Sequence, residues 1–102
     1  MNAFSKAVFD AVRQVPYGRV SSYRYIALYI GHPRGARAVG TVLRSCRDPQ
    51  VPCHRILRQD GSLSPGYSPQ LPGLQRALLE GEGVPFLPDG RVDLEACLWD
   101  GT

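Results

Sequence analysis

The 102 residues contain one tryptophan, one methionine and two histidines, and no apolar run approaches the roughly 20 residues a helix needs to cross a bilayer. That scarcity excludes a helical membrane span. The opening stretch, MNAFSKAVFDAVRQVPYG, interrupts its apolar residues with Lys6, Asp10 and Arg13, which is the wrong pattern for a cleaved secretory signal. There are three cysteines, Cys46, Cys53 and Cys97, too few and too unevenly spaced for a closed disulfide set or a compact metal motif. At least one free thiol is expected, and neither a metal nor a cofactor. Repeats, low-complexity tracts and flexible linkers are also lacking. What is present is an apolar fraction of 43%, too high for an evidently disordered chain, in a length that suits one domain spanning 1–102.

Acidic residues are scarce in one part only. Residues 1–60 hold ten Lys or Arg against three acids, whereas residues 61–102 hold two against six. From Arg13 to Arg47 there are seven arginines and no acid, a density that concentrates positive potential if these segments fold together. Such a surface suits an anionic partner such as DNA, although a basic solvated surface has the same composition.

Phe4, Val8, Val12 and Val15 recur at helical spacing and predict a first helix from about Ala3 to Gln14, stopped by Pro16 and Gly18. Ser21 or Ser22 can cap a second helix carrying Ile26, Ala27, Tyr29 and Ile30, which Gly31-His32-Pro33 ends. A third runs from about Arg34 to Arg44 with Ala38, Val39, Val42 and Leu43 as its inward side. Two short helices around a Gly/Pro turn suit a helix-turn-helix. Arg58-Gln59-Asp60-Gly61 reads as the turn of a hairpin through Ile56, Leu57 and Leu63. After an irregular loop comes a last helix, about Leu74 to Glu80, and then a tail in which Val84, Phe86, Val92 and Leu94 suit a short strand or packed extended segment. The fold expected is mainly α with a short β-hairpin, a winged helix-turn-helix-like DNA-binding domain.

Cys53 and His54 are adjacent, yet neighbours on an extended strand point to opposite faces. A bend next to Pro52 can bring both to one side, where the imidazole takes the thiol proton and creates a nucleophilic thiolate. Glu82 can hold that histidine in one tautomer. A buried thiol beside a structural histidine fits the same residues. Arg55 cannot exchange protons near neutrality and reads as a structural partner or a tether for the loop. His32 sits in a turn and is assigned no catalytic role.

Val51-Pro52-Cys53-His54-Arg55-Ile56 resembles the Pro-Cys-His-Arg motif of the O6-alkylguanine-DNA alkyltransferases, or methylated-DNA--protein-cysteine methyltransferases. Arg37-Ala38-Val39-Gly40 resembles the arginine-bearing start of that family's recognition helix, and Pro16-Tyr17-Gly18-Arg19-Val20-Ser21-Ser22-Tyr23 the segment entering its helix-turn-helix. Ser64-Pro65-Gly66-Tyr67-Ser68 is similar to its lesion loop. The blocks occur in the family's order and cover nearly the whole chain, which corresponds to the family's carboxy-terminal domain; the usual amino-terminal domain has no counterpart here.

The resemblance implies that Cys53 accepts an alkyl group from guanine O6 once per molecule, activated through His54 and Glu82. It implies that Tyr23 donates a proton to the purine and rotates the target phosphate. Arg37 would fill the stack when the base is flipped, and the small Ala36, Ala38 and Gly40 would let the helix approach the minor groove. Val51, Pro52, Tyr67 and Ser68 would wall the lesion pocket. The partner implied is double-stranded DNA containing O6-alkylguanine, bound by a monomer in the cytoplasm, associated with the nucleoid.

Two departures stand out. Where the family carries Arg-Gly-Asn-Pro, this chain has Arg44-Ser45-Cys46-Arg47-Asp48-Pro49, and Pro65 interrupts the usual Ser-Gly-Tyr loop. Glu82-Gly83-Val84-Pro85-Phe86 through Gly90-Arg91-Val92-Asp93-Leu94 resembles the compact alkyltransferase-like proteins, which flip alkylated guanine without repairing it and signal nucleotide excision repair. Those proteins usually have tryptophan or alanine in place of Cys53. Retention of cysteine favours suicide transfer; a nonrepairing lesion sensor, a helix-turn-helix regulator without chemistry and a thiol hydrolase are the alternatives. A disulfide between Cys46 and Cys53 is conceivable, and a cytoplasmic setting argues against a stable one.

Overall fold

The computed structural model describes residues 2–64, 67 and 71–101. Helix α1 (Ala3–Arg13) starts where the Asn2 side chain accepts the Ser5 N–H at 2.7 Å, and Val8, Ala11 and Val12 form its buried stripe. Strand β1 (Ser21–Ser22) leads directly into α2 (Tyr23–Tyr29), which Ser22 caps by accepting the Tyr25 N–H at 3.0 Å. Of the two serines able to cap it, Ser22 does so, while Ser21 is fully buried in the strand.

Helix α3 (Ala36–Arg44) follows a tight turn and completes the helix-turn-helix. It begins two residues later than the pattern suggests, because the Gly35 N–H closes a turn onto the His32 carbonyl at 2.8 Å and holds Arg34 out of the helix. Val39 and Leu43 face the core, whereas Ala38 is exposed, which corrects its expected inward placement. A small side chain can satisfy either face, so the apolar pattern around Ala38 does not separate them.

The chain then passes through a 3-10 turn at Cys53–Arg55 into strand β2 (Ile56–Leu57). Here the structure replaces the expected hairpin: β2 lies parallel to β1, with Ser21 opposite Ile56 and Ser22 opposite Leu57. Arg58–Gly61 does turn, and Gly61 takes a φ of +89° that a side chain rarely adopts. A Cβ at Gly61 would lie 2.8 Å from the Val92 carbonyl, so the turn packs against the C-terminal segment. The Arg58 N–H donates across the turn to the Ser62 carbonyl at 3.1 Å, but the returning chain adds no further strand to β2 among the described residues. Helix α4 (Leu74–Gly81) and a short α5 (Leu94–Cys97) complete the helices. The tail between them folds back on itself, with Phe86 bridged to Val92 in antiparallel fashion, and Trp99 donates its N–H to the Val20 carbonyl at 2.8 Å.

Two hydrophobic clusters lie on either side of the strands. Ile56 packs with Val8, Val12, Val15, Ile26, Val39, Leu43, Val51 and Trp99, while Leu57, its neighbour, packs with Val20, Leu79, Val84, Val92 and Cys97. The two-residue strand thus splits its side chains between opposite faces, one core for the helix-turn-helix and one for the C-terminal half. Anchored on both sides, β2 fixes the turn that immediately precedes it, and that turn carries Cys53 and His54.

Candidate active site and nucleic-acid interface

Pro52 has φ −79° and ψ 65°, the geometry of an inverse γ-turn, and the Cys53 N–H accordingly donates to the Val51 carbonyl at 2.8 Å. The Arg55 N–H then reaches the Pro52 carbonyl at 3.0 Å. This is the bend expected next to Pro52. Cys53 and His54 consequently border one cavity of about 580 Å³ instead of alternating across a strand.

Glu82, at the C-terminal end of α4, stands behind His54 and gathers the donors there, whereas Arg44, Arg47 and Asp48 are the charged residues that border the cavity itself. One of its oxygens receives His54 Nε2 at 2.6 Å; the Arg55 fork reaches both, with Nη2 at 2.9 Å; and the Gly18 N–H donates to Oε1 at 2.9 Å. Gly18 presents that N–H from a φ of +80°, a backbone conformation natural only to glycine. Burial alone would raise the Glu82 pKa, but the Arg55, Gly18 and His54 bonds override it and hold the carboxyl down to about 2. An ionised Glu82 only accepts, so His54 donates to it from Nε2, and Nδ1 is the ring nitrogen that the acid does not engage. Arg55 also donates to the Val15 carbonyl at 2.9 Å and lies over the Tyr17 ring. It ties the turn to α1, the structural part expected of it.

Cys53 meets the opposite environment. Burial and the neighbouring Cys46 push the Cys53 thiol up to about 12. Cys46, Val51 and Tyr67 border the cavity beside Cys53, and Pro52 supplies the bend beneath them. Burial likewise raises the Tyr67 phenol. Ser68, the remaining residue expected in the pocket, lies outside the described residues.

Tyr23, at the first position of α2, separates this cavity from a second of about 490 Å³. Burial pushes its phenol up, opposed by a 2.5 Å hydrogen bond to Ser64 Oγ. Ser64 in turn donates to the Ile56 carbonyl at 3.2 Å, and its N–H reaches Gln75 Oε1 at 2.8 Å. Gln75 closes the network by donating to the His54 and Ile56 carbonyls at 3.0 and 3.2 Å. Neither Ser64 nor Gln75 was singled out from the sequence. Gln75 had a signal: it is a polar residue one helical turn before the buried Leu79, on the face that an apolar pattern would claim.

The second cavity is bordered by Arg24, Arg37, Arg44 and Arg58 with no acid, together with Ala36, Gly40 and Gln59. Exposed Ala38 belongs to the same outward surface of α3 as Arg37. Arg58 and Gln59, at the end of β2, were expected only as turn residues.

A helix-turn-helix with an arginine-lined groove, beside a cavity bordered by a thiol and an acid-held histidine, defines a nucleic-acid-binding class of domain. Comparison with known proteins narrows that class. Residues 3–84 match the family model described as "6-O-methylguanine DNA methyltransferase, DNA binding domain". The chain is 35% identical over 104 residues to alkyltransferase-like protein 1 of Schizosaccharomyces pombe, covering 97% of this chain and 96% of that protein. It is 38% identical over 91 residues to the methylated-DNA--protein-cysteine methyltransferase of Haemophilus influenzae, covering 86% of this chain and 49% of that one. The crystal structure of the S. pombe protein with damaged DNA containing O6-carboxymethylguanine superposes with a TM-score of 0.81 at 33% identity, covering 98% of this chain and 97% of that chain. The chain belongs to the 6-O-methylguanine DNA methyltransferase DNA-binding-domain family. It spans nearly all of the alkyltransferase-like relative and about half of the methyltransferase. Among the described residues no helix is long and apolar enough to cross a membrane.

Proposed function

We propose that this protein binds duplex DNA, receives a flipped O6-alkylguanine in the cavity beside Tyr23, and transfers the alkyl group to Cys53 in a single turnover. The observation that carries this reading is the placement of a thiol and an anchored imidazole on one turn, both bordering a cavity that adjoins an arginine-lined groove. His54 Nδ1 accepts the Cys53 proton, and Glu82 stabilises the imidazolium that results. Sulfur attacks the alkyl carbon as the carbon–oxygen bond breaks. Tyr23 donates to the departing purine, so that the thiol proton is in net terms exchanged for the alkyl group, leaving a thioether and guanine. Arg37 occupies the vacated stack, and Ala36, Ala38 and Gly40 keep the helix surface low enough for close approach to the groove.

A second reading has its own support. The high pKa of the Cys53 thiol and the presence of Cys46 beside it suit a pocket that holds a lesion without reacting, as in the alkyltransferase-like proteins, with nucleotide excision repair proteins as partners. Intact-mass measurement after incubation with a duplex bearing one O6-methylguanine tests the two. A gain of one methyl, mapped to Cys53 and absent in Cys53→Ser, is expected. Lesion-selective binding by both proteins with no gain in mass would assign the sensor role instead, and binding indifferent to the lesion would leave a regulator.

A further inference from the structure

The loop from Cys46 to Cys53 doubles back on itself. The Val51 N–H donates to the Asp48 carbonyl at 3.1 Å, the Gln50 N–H to Asp48 Oδ1 at 2.9 Å, and the Cys53 N–H to the Val51 carbonyl at 2.8 Å. At one end the Cys46 N–H continues α3 by bonding to the Leu43 carbonyl at 3.1 Å; at the other the 3-10 turn leads into β2. Both ends are thus fixed to the same core, against which Cys46 and Cys53 both pack. The two thiols border one cavity, pack against one core, are each only partly buried, and lie near enough for Cys46 to raise the Cys53 pKa, so a small solute entering the cavity meets both. Cys97 is remote from them, buried in the second core.

We propose that Cys46 and Cys53 form a reversible intramolecular disulfide that closes the cavity to a lesion, making the pair a site of oxidative modification by hydroperoxides. The Cys46 sulfur attacks one peroxide oxygen as its thiol proton passes to the other, giving a sulfenic acid and water, or the alcohol where the hydroperoxide is organic. The second thiol displaces the hydroxyl, forming the S–S bond and a second water. Two thiols lose two electrons and two protons, and the peroxide is reduced. A dithiol reductant restores both thiols by exchange. Linking Cys53 removes its nucleophile and ties the α3 end to the 3-10 turn across the space a base would occupy. This consequence for DNA rests on the lesion-pocket reading; the bond itself does not.

The full reduced chain treated with hydrogen peroxide tests it by intact mass and non-reducing peptide mapping. Arg44, Arg47 and Arg55 let trypsin release Cys46 and Cys53 on separate peptides, 45–47 and 48–55, so a link between them is directly visible. The expected result is loss of two hydrogens, a 45–47/48–55 linked peptide, reversal by dithiothreitol, the same behaviour in Cys97→Ser, and no link in Cys46→Ser. Affinity for an O6-methylguanine duplex should fall at least about tenfold on oxidation and return on reduction. Oxygen addition to Cys53 without a link, or a link that involves Cys97 or joins two molecules, would overturn the proposal. A reduced protein indifferent to the lesion that still forms the reversible link would sink the lesion-pocket reading and uphold the disulfide.

Discussion

Cys53 and His54 are consecutive residues on one 3-10 turn, yet their side chains meet opposite physical environments. His54 points toward Glu82, whose charge is stabilised by three protein donors and which has, in effect, been ionised in advance. Cys53 points toward Cys46 and the apolar wall, where the uncharged thiol is favoured. The polar half of the site holds an ionised carboxylate against the imidazole, whereas the thiol half resists a negative charge on sulfur until something changes the pocket. In the proposed transfer a flipped purine is the candidate for that change, since it brings its own hydrogen-bonding edge into a site where burial alone favours the neutral thiol. Under that proposal, reactivity depends on the lesion being in place.

Removing the acid breaks this comparison most severely. Glu82→Ala should cost about 3–5 kcal/mol in denaturant unfolding, because it strands a buried Arg55 guanidinium and frees His54. Glu82→Gln keeps the shape and isolates the charge; alkyl transfer should slow by roughly a hundredfold or more in single-turnover assays while the folded protein persists. The two halves should also separate by pH. The depressed Glu82 pKa contributes stability above about pH 4.5 that is lost as the pH falls toward 2. The raised Cys53 pKa acts in the other direction, with its contribution intact below pH 9 and lost as the pH rises toward 12. Without DNA, Cys53 should react with iodoacetamide at least about tenfold more slowly at pH 8 than the same cysteine in unfolded protein, and accelerate steadily above pH 10. A fast, pH-independent reaction would show that the thiol is already ionised, contrary to the contrast drawn between the two halves.

The next largest effect concerns what holds the turn from behind. Gln75 joins His54, Ile56 and Ser64 through three hydrogen bonds from a buried position, and Ser64 carries the chain of contacts on to Tyr23. Gln75→Ala should destabilise the fold by about 1–3 kcal/mol, since it leaves buried polar partners unmatched. Gln75→Glu, which keeps the acceptor and loses both donors, should recover little of that. If thermal melting instead finds either change neutral, the network does not support the site.

These elements were not equally legible beforehand. The helix-turn-helix was, because Val8, Val12, Ile26, Val39 and Leu43 repeat at helical spacing and Ser22 and Gly31 mark its boundaries. The bend at Pro52 followed from proline chemistry. The pairing of β1 with β2 was hidden: two residues per strand show no periodicity, and Ser21-Ser22 has no apolar pattern at all. What decides that pairing is the pair of cores on either side, to which Ile56 and Leu57 each contribute one residue. Glu82 lies 28 residues beyond His54, so no local spacing joins them; it stood as a candidate acid for the histidine, and the resemblance to a known family supported that choice. Ser64 and Gln75 escaped because a polar residue gains its meaning from carbonyls that tertiary structure alone brings near.

The smallest predicted effect contrasts the reactive cavity with the groove on the far side of Tyr23. There Arg24, Arg37, Arg44 and Arg58 gather without an acid, and Arg58 is exposed at the end of β2, outside the helix-turn-helix. An exposed arginine facing a phosphate backbone acts mainly by releasing counterions. Arg58→Gln should therefore weaken binding to lesion-bearing and intact duplexes by the same modest factor and reduce the slope of log K against log salt by about 0.9. Arg37→Gln should behave differently, reducing the preference for the lesion as well as the affinity, if its side chain fills the stack that a flipped base leaves. Fluorescence anisotropy across a salt series, with matched duplexes with and without O6-methylguanine, measures both quantities at once. Equal losses of lesion preference in the two variants would mean that the groove recognises the flipped base as a unit; an unchanged salt slope for Arg58→Gln would place the DNA backbone elsewhere on the basic surface.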